Sequence, residues 1–245
     1  VVQHQNDITF PFKRYQVQPV WRADRPQKGR YREFFQCDAD VIGTESLLSE
    51  VELIQIYYKT FKALNLNGLT IAINNRKILQ GIAEVLGAAD QIIDLTVAID
   101  KLDKIGKDKV LEELTTKGFD QSSLTTLDPL FNLAGSKEDK LAMMEAFLKD
   151  TESGMKGIEE LREVFKYTDS LGVDNIDFDV TLARGLDYYT GAIFEIKVDD
   201  GSMGSLGGGG RYDNLTEIFG VKDMSGVGIS FGVDRICDVL EDRKQ

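Results

Sequence analysis

Apolar residues follow two rhythms along the chain, and the rhythm changes twice. From Tyr15 to Gly43, and again from Asp174 to Val198, they alternate with polar residues, the period of a strand with one buried face. Between about Ala88 and Gly172 they recur at helical spacing instead. The first alternating stretch predicts two strands, YQVQPVWR and FFQCDADVIG, around ADRPQKGRYRE, where Pro26 and Gly29 form the turn. On the second of these strands Phe35, Cys37, Ala39 and Val41 share one face, and Gln36, Asp38 and Asp40 the other. Ser49-Glu50-Val51-Glu52 predicts a capping box opening a helix that runs to about Leu64. Leu69–Ile73 predicts a short strand, followed by a helix that Gly87 ends.

The helical stretch predicts loops near Gly118–Ser123 and Leu127–Gly135. Beyond it, strands are expected over Ile176–Leu182 and Ala192–Val198, with Ile176, Phe178, Val180 and Leu182 on one face. Gly201 fits a hairpin turn, and Val227–Phe231 a final strand feeding a helix over Val233–Glu241. Strands on both sides of a helical block predict an α+β fold: an antiparallel sheet flanked by helices, with a helical insertion. Residues 1–87 and 172–245 are expected to form the core, and 88–171 the insertion.

A chain of 245 residues, 42% of them hydrophobic, can build such a core, and no apolar run is long enough to span a membrane. The N-terminus carries neither a basic leader nor an apolar segment, so a cytoplasmic protein without a signal peptide is expected. Cys37 and Cys237 form no metal-spaced cluster and are expected to be reduced and buried. The net charge of −12 argues against broad, non-specific nucleic-acid binding. The sole histidine, His4, leaves no imidazole for a Ser-His-Asp hydrolase or an HExxH metalloprotease. Chemistry falls to arginines, carboxylates, tyrosines and glutamine.

Four stretches concentrate those residues. The hairpin Trp21–Gly43 gathers Arg22, Arg25, Lys28, Arg30 and Arg32, a set of forks suited to phosphate or to a solvated turn. Arg184–Gly191 reads RGLDYYTG, placing Arg184, Asp187, Tyr188 and Tyr189 between two predicted strands. Gly207–Asp213 reads GGGGRYD; it is neither a P-loop nor a Rossmann fingerprint, and its glycines let backbone come close to a ligand. Gly226–Ile236 reads GVGISFGVDRI and puts Arg235 in the first turn of the last helix, free for a ligand or for a pair with Asp238.

In this order the four stretches resemble the motifs of histidyl-tRNA synthetases, a family of class II aminoacyl-tRNA synthetases. The resemblance implies a class II synthetase-like sheet, activation of histidine with ATP and Mg²⁺ to histidyl-adenylate, and transfer to tRNA(His). It implies that Arg22 contacts the α-phosphate and the substrate carboxylate, that Arg30 lies in the loop holding the triphosphate, and that Arg235 packs on adenine and reaches the γ-phosphate. Arg184 would approach the α-phosphate as charge builds there. Gln36, Tyr188, Tyr189 and Tyr212 would bind histidine, and Asp40, where many members carry Glu, would lie close to its amino group or to a metal. The role of Asp187 stays open between a turn-stabilising carboxylate and a ligand contact. No protein-held metal is expected.

The family also implies a homodimer, a dimer-building motif 1 and an anticodon-binding domain; the last two are expected to lie outside this chain. In the family the insertion meets the tRNA acceptor arm, so Lys101, Lys104, Lys107 and Lys109 are either such a face or a solvated helix surface. Two non-catalytic readings remain alongside the ligase: a histidine-sensing regulatory subunit of a biosynthetic enzyme, and a synthetase-like domain of a kinase that senses uncharged tRNA.

Overall fold

The computed structural model describes residues 1–185 and 188–244, the side chain of Asp103 excepted. Seven strands form one sheet: β1 (Phe12–Trp21), β2 (Glu33–Ile42), β3 (Leu69–Asn75), β4 (Ile176–Phe178), β5 (Ala192–Val198), β6 (Gly207–Tyr212) and β7 (Gly226–Gly232). Their spatial order is β1-β2-β7-β6-β5-β3-β4, antiparallel throughout except for the parallel pair β3–β4. The helices are α1 (Leu48–Ala63), α2 (Arg76–Val85), α3 (Ile92–Ile99), α4 (Leu102–Ile105), α5 (Lys107–Thr116), α6 (Gln121–Leu127), α7 (Lys137–Leu148), α8 (Glu152–Ser170) and α9 (Val233–Asp242). The expected α+β architecture, a sheet flanked by helices with a helical segment between its strands, is the one that forms.

Period-two alternation gives the sheet two unlike faces. On β7, Val227, Ile229 and Phe231 are buried, while Gly228, Ser230 and Gly232 point the other way. Residues directly paired across antiparallel strands share a face. Asp40, Gly228 and Gly210 therefore form one row, and Asp38, Ser230, Gly208 and Glu195 the next. One face is apolar and covered by helices; the other is a floor of glycine and serine edged by carboxylates. Tyr57 of α1 reaches the covered face, its ring 4.7 Å from that of Phe231, and its hydroxyl donates to the carbonyls of Gly208 (3.0 Å) and Ser230 (2.9 Å). A Cβ at Gly207 would stand 2.7 Å from the Ser230 carbonyl oxygen and 2.9 Å from the Tyr57 ring, so only glycine fits there.

Helix α8 packs on α2 through small residues: a Cβ on Gly81 would meet the Gly154 backbone nitrogen at 2.9 Å, and one on Gly157 would meet Ile78 at 2.8 Å. Its buried Ile158, Leu161 and Val164 join the same apolar cluster as the sheet. Within the helical segment Lys101 pairs with Glu113 (2.7 Å) and Lys107 with Asp128 (2.5 Å), so both lysines are engaged internally.

Three local expectations are corrected. The strand expected over Ile176–Leu182 stops at Phe178, because Asp179 turns the chain by accepting from the Thr181 backbone N–H (2.9 Å). The carbonyls of Val180 and Leu182 are then satisfied by the Asn74 side-chain amide, so those residues stay buried without a ladder. The predicted capping box does not form: α1 starts after Leu47 with no side-chain cap, and Ser49 and Glu50 are buried. Cys237 is exposed on α9, whose inward positions are Ile236 and Val239, and Cys37 is half-buried; neither is in a disulfide.

Glu50 points inward because its partner lies across the core. The Arg211 guanidinium, on β6, donates from Nε to Glu50 Oε1 (2.5 Å) and from Nη2 to Oε2 (2.6 Å). It also donates to the carbonyls of Thr44 (3.0 Å) and Ser46 (3.2 Å) and to the Ser225 hydroxyl (2.5 Å). Burial alone would lower the Arg211 pKa, but the hydrogen bonds and charge of Glu50 hold it above its usual range. Removing one member of such a pair leaves a buried charge uncompensated, at a cost of about 3–5 kcal/mol. Glu50→Leu and Arg211→Met are each expected to lower the urea midpoint accordingly. Glu50→Leu combined with Arg211→Met should lose less than the sum of the singles, and additive losses would refute the coupling.

Candidate active site

The glycine face of the sheet is the floor of a cleft in two connected parts. One cavity, of about 270 Å³, is walled by Arg22, Phe34, Arg184 and Arg235 above Gly207–Gly209 and Gly232. The other, of about 280 Å³, is walled by Arg14, Asp38, Asp40 and Tyr212 above Gly228. Gln36, Tyr188, Tyr189, Gly208 and Ser230 line both, so the parts meet over the middle of the sheet.

The first part is cationic. Arg22, at the end of β1, lies 4.3 Å over the Phe34 ring and pairs with Asp24 at 3.0 Å. Arg235, on the first turn of α9, makes no pair with Asp238. It donates from Nε to the Gly29 carbonyl (2.5 Å) and from Nη1 to the Ser205 carbonyl (2.6 Å), tying the β1–β2 loop to the β5–β6 loop. Tyr31 takes Asp238 instead, donating its hydroxyl at 3.0 Å. Burial, followed by repulsion from Arg22, Arg184 and Arg30, lowers the Arg235 pKa. Like charges held this close favour an anion between them. Arg184 pairs with Glu195 at 2.7 Å. Arg30 is not brought onto this wall; it lies in the loop, with its Nε 3.1 Å from Asp24. The Asp24 carboxyl is held below its usual range, first by the Arg30 hydrogen bond.

The second part mixes charges. In the β1–β2 register Arg14 faces Asp40, and its Nη1 donates to Asp40 Oδ2 at 2.8 Å. The other carboxylate oxygen accepts from the Tyr212 hydroxyl, also at 2.8 Å. Burial, and then the Asp40 charge, raise the Tyr212 pKa; burial and the Tyr188 hydroxyl do the same for Tyr189, so both stay neutral phenols. Tyr188, half-exposed, donates to the Tyr189 oxygen at 2.9 Å. Gly185 has φ +70°, and a Cβ there would fall inside the Tyr189 ring, so the turn that delivers the two tyrosines requires glycine. Gln36 donates to Asp38 at 2.6 Å. Asp187 lies outside the described residues.

Eight of the nine residues singled out in the sequence thus line one cleft, with Arg30 beside it. Sequence reasoning missed Arg14, Phe34, Asp38 and Glu195. Centring the hairpin turn on Gln27 would have paired Arg14 with Asp40, and a glutamate inside the apolar run AIFEIKV was a signal for Glu195. Among the described residues no group of three or more His, Cys, Asp or Glu side chains is arranged to hold a metal ion. The arrangement suits a polyanion at one end and a small polar molecule with hydrogen-bonding groups at the other.

Residues 3–236 match the family model described as histidyl-tRNA synthetase. The chain is 61% identical over 245 residues to a histidine–tRNA ligase of Flavobacterium johnsoniae, covering 99% of this chain and 52% of that protein. A histidine–tRNA ligase of Christiangramia forsetii is 59% identical over 245 residues, with 99% of this chain and 54% of that protein covered. The chain therefore spans about half the length of the curated relatives it matches. Among solved structures, the histidyl-tRNA synthetase of Nostoc sp. PCC 7120 superposes with a TM-score of 0.89 at 35% identity, covering 99% of this chain and 57% of that one.

The two backbone hydrogen bonds of Arg235 give a prediction about the β1–β2 loop. Charged hydrogen bonds contribute about 1.5–3 kcal/mol each. Arg235→Ala is expected to speed tryptic cleavage after Lys28 and Arg30 by about tenfold or more through local opening. An unchanged cleavage rate would show that the loop does not depend on this residue.

Proposed function

The chain belongs to the histidyl-tRNA synthetase family, and on that premise we propose that it forms the catalytic core of a histidine–tRNA ligase. The observation that carries the reading is the two-part cleft: a wall of arginines at one end, a carboxylate and two neutral tyrosines at the other, meeting over bare backbone. ATP lies with its triphosphate among the arginines and its adenine between Phe34 and Arg235. Histidine occupies the other end, its amino group toward Asp40 and its imidazole toward Gln36, Tyr188, Tyr189 and Tyr212. Because Tyr212 donates its proton to Asp40, its oxygen is left to accept an N–H from the ligand. An apolar side chain of similar size would leave these polar groups unpaired and is rejected for that reason.

In the first step a carboxylate oxygen of histidine attacks the α-phosphorus in line. The bond to the bridging β-phosphate oxygen breaks, and pyrophosphate leaves with the electron pair. Arg22 and Arg184 stabilise charge on the α-phosphate, and Arg235 and Arg30 the β,γ end, with Arg30 leaving Asp24 to do so. The chain contributes positioning and charge, with no covalent intermediate on the protein. In the second step a terminal ribose hydroxyl of tRNA(His) attacks the adenylate carbonyl and AMP leaves. The cleft carboxylates are engaged by Arg14, Gln36, Tyr212 and Arg184, so they do not form a metal cage. Mg²⁺ would fit this site as an ion carried by the phosphates, where it would offset their charge.

We place the protein in the cytoplasm, where its proposed substrates are; no helix among the described residues is long and apolar enough to cross a membrane. Residues 1–87 and 172–245 act as the catalytic core, and 88–171 as the insertion that faces tRNA. We also propose a homodimer. Tyr15, Val17 and Trp21 of β1, with Phe35 of β2, lie exposed on one face of the sheet edge, a stripe suited to burial against a second copy.

Histidine-dependent ATP–pyrophosphate exchange by the full-length gene product tests the reading. Exchange with histidine alone among the amino acids is the expected result. Histidine binding without exchange would move the assignment to a sensing subunit. Arg184→Ala is expected to lower the exchange rate by about 10²–10³-fold while histidine affinity changes far less. Equal losses in both would remove Arg184 from its role.

A further inference from the structure

We infer that Glu195 is the positioning residue for Arg184, holding its guanidinium over the cleft where the α-phosphate reacts. The inference rests on the histidine-activating reading above. Arg184 belongs to the irregular segment that follows β4, and its side chain is 45% exposed. A guanidinium on such a segment has many rotamers open to it, and a partner is needed to hold it in one. Glu195, by contrast, is fixed. It sits in the middle of β5, paired with β3 on one side and β6 on the other, and is 7% exposed. It stands opposite Gly208, on the floor of the cleft, and its Oε1 lies 2.7 Å from Arg184 Nη2. The pair fixes one end of the guanidinium, whose several N–H donors can serve more than one acceptor.

The charges around the cleft support the same assignment. Asp24 is the carboxylate that answers Arg22 and Arg30, at the outer loop. Glu195 answers Arg184 at the inner wall. Without it, Arg184 would be driven from a wall that already carries Arg22 and Arg235. As an anion, Glu195 cannot itself touch phosphate, so its effect must run through the arginine. A buried glutamate also does little for the fold that an apolar residue would not do as well.

Glu195 is open to titration. Burial raises its pKa, and the charge of Arg184, then that of Lys197, pulls it back. The other charged groups facing this region are Asp179, paired with Lys197 at 2.6 Å, and, across the neighbouring cavity, Asp100 and Lys104. Protonation of Glu195 would release Arg184, so the exchange rate should fall on the acid side.

The test is a double-mutant cycle on the full-length gene product, read by histidine-dependent ATP–pyrophosphate exchange. Glu195→Gln is expected to lower kcat by about 10²-fold, the effect of a misplaced catalytic group. KM for ATP and for histidine should stay within about threefold. Arg184→Ala together with Glu195→Gln should be no slower than Arg184→Ala alone, because Glu195 acts only through Arg184. The acid limb of the wild-type kcat profile should be missing from Glu195→Gln. If that variant does not fold, Glu195→Asp carries the same cycle, with a smaller kcat loss and the acid limb retained. Losses that multiply in the double mutant, or an acid limb that survives in Glu195→Gln, would overturn the inference. Absence of exchange in the wild type would instead remove the ligase reading on which it rests.

Discussion

The buried pair of Arg211 and Glu50 holds together more of this molecule than any other interaction in the described residues. Arg211 stands between Gly210 and Tyr212 on β6, so the backbone it anchors is the backbone of the cleft. Through Glu50 it fixes α1, through Thr44 and Ser46 the turn after β2, and through Ser225 the approach to β7. The chain of bonds continues from Ser225 to Asp213 (2.5 Å) and from there to Thr190 (2.5 Å), next to Tyr189. A charge pair on the covered face of the sheet therefore sets the position of the tyrosines on the other.

Much of this was legible in the sequence because alternation is local. The β1–β2 hairpin, β5, β7 and α9 lie within a few residues of their expected places, and the four motif stretches converge on one cleft. What was not legible depended on partners distant in sequence. Glu50 near the start of a helix reads as a cap; only the arrival of Arg211, 161 positions later, turns it into the core. Val180 and Leu182 alternate like strand residues because they are buried, yet their carbonyls are met by the Asn74 side chain and not by a neighbouring strand. The role of Arg14 needed the hairpin register, which composition does not supply. Arg30 is a different case. A motif places it near the phosphates, but in the structure it pairs with Asp24.

The chain carries a net charge of −12, yet the cleft is where its cations converge. Arg22, Arg184 and Arg235 share one wall, each held by a carboxylate, a ring or a backbone carbonyl. This local inversion matters more for a polyanionic ligand than the overall balance, because interactions between exposed charges fade beyond about 10 Å at 0.1 M salt while those inside a cleft do not.

The floor of the cleft has a consequence for how such a site can change. Gly208, Gly228 and Gly232 offer a ligand only peptide groups, and a Cβ at Gly208 would stand 3.2 Å from the Phe194 carbonyl oxygen. Side chains at Gly208 and Gly228 would crowd the Phe194 carbonyl and Asp40, so those two positions accept little change. Change in what the cleft accepts falls instead to the walls, at Gln36, Asp40, Tyr188, Tyr189 and Tyr212. The floor acts as a fixed reference plane against which those walls can be exchanged.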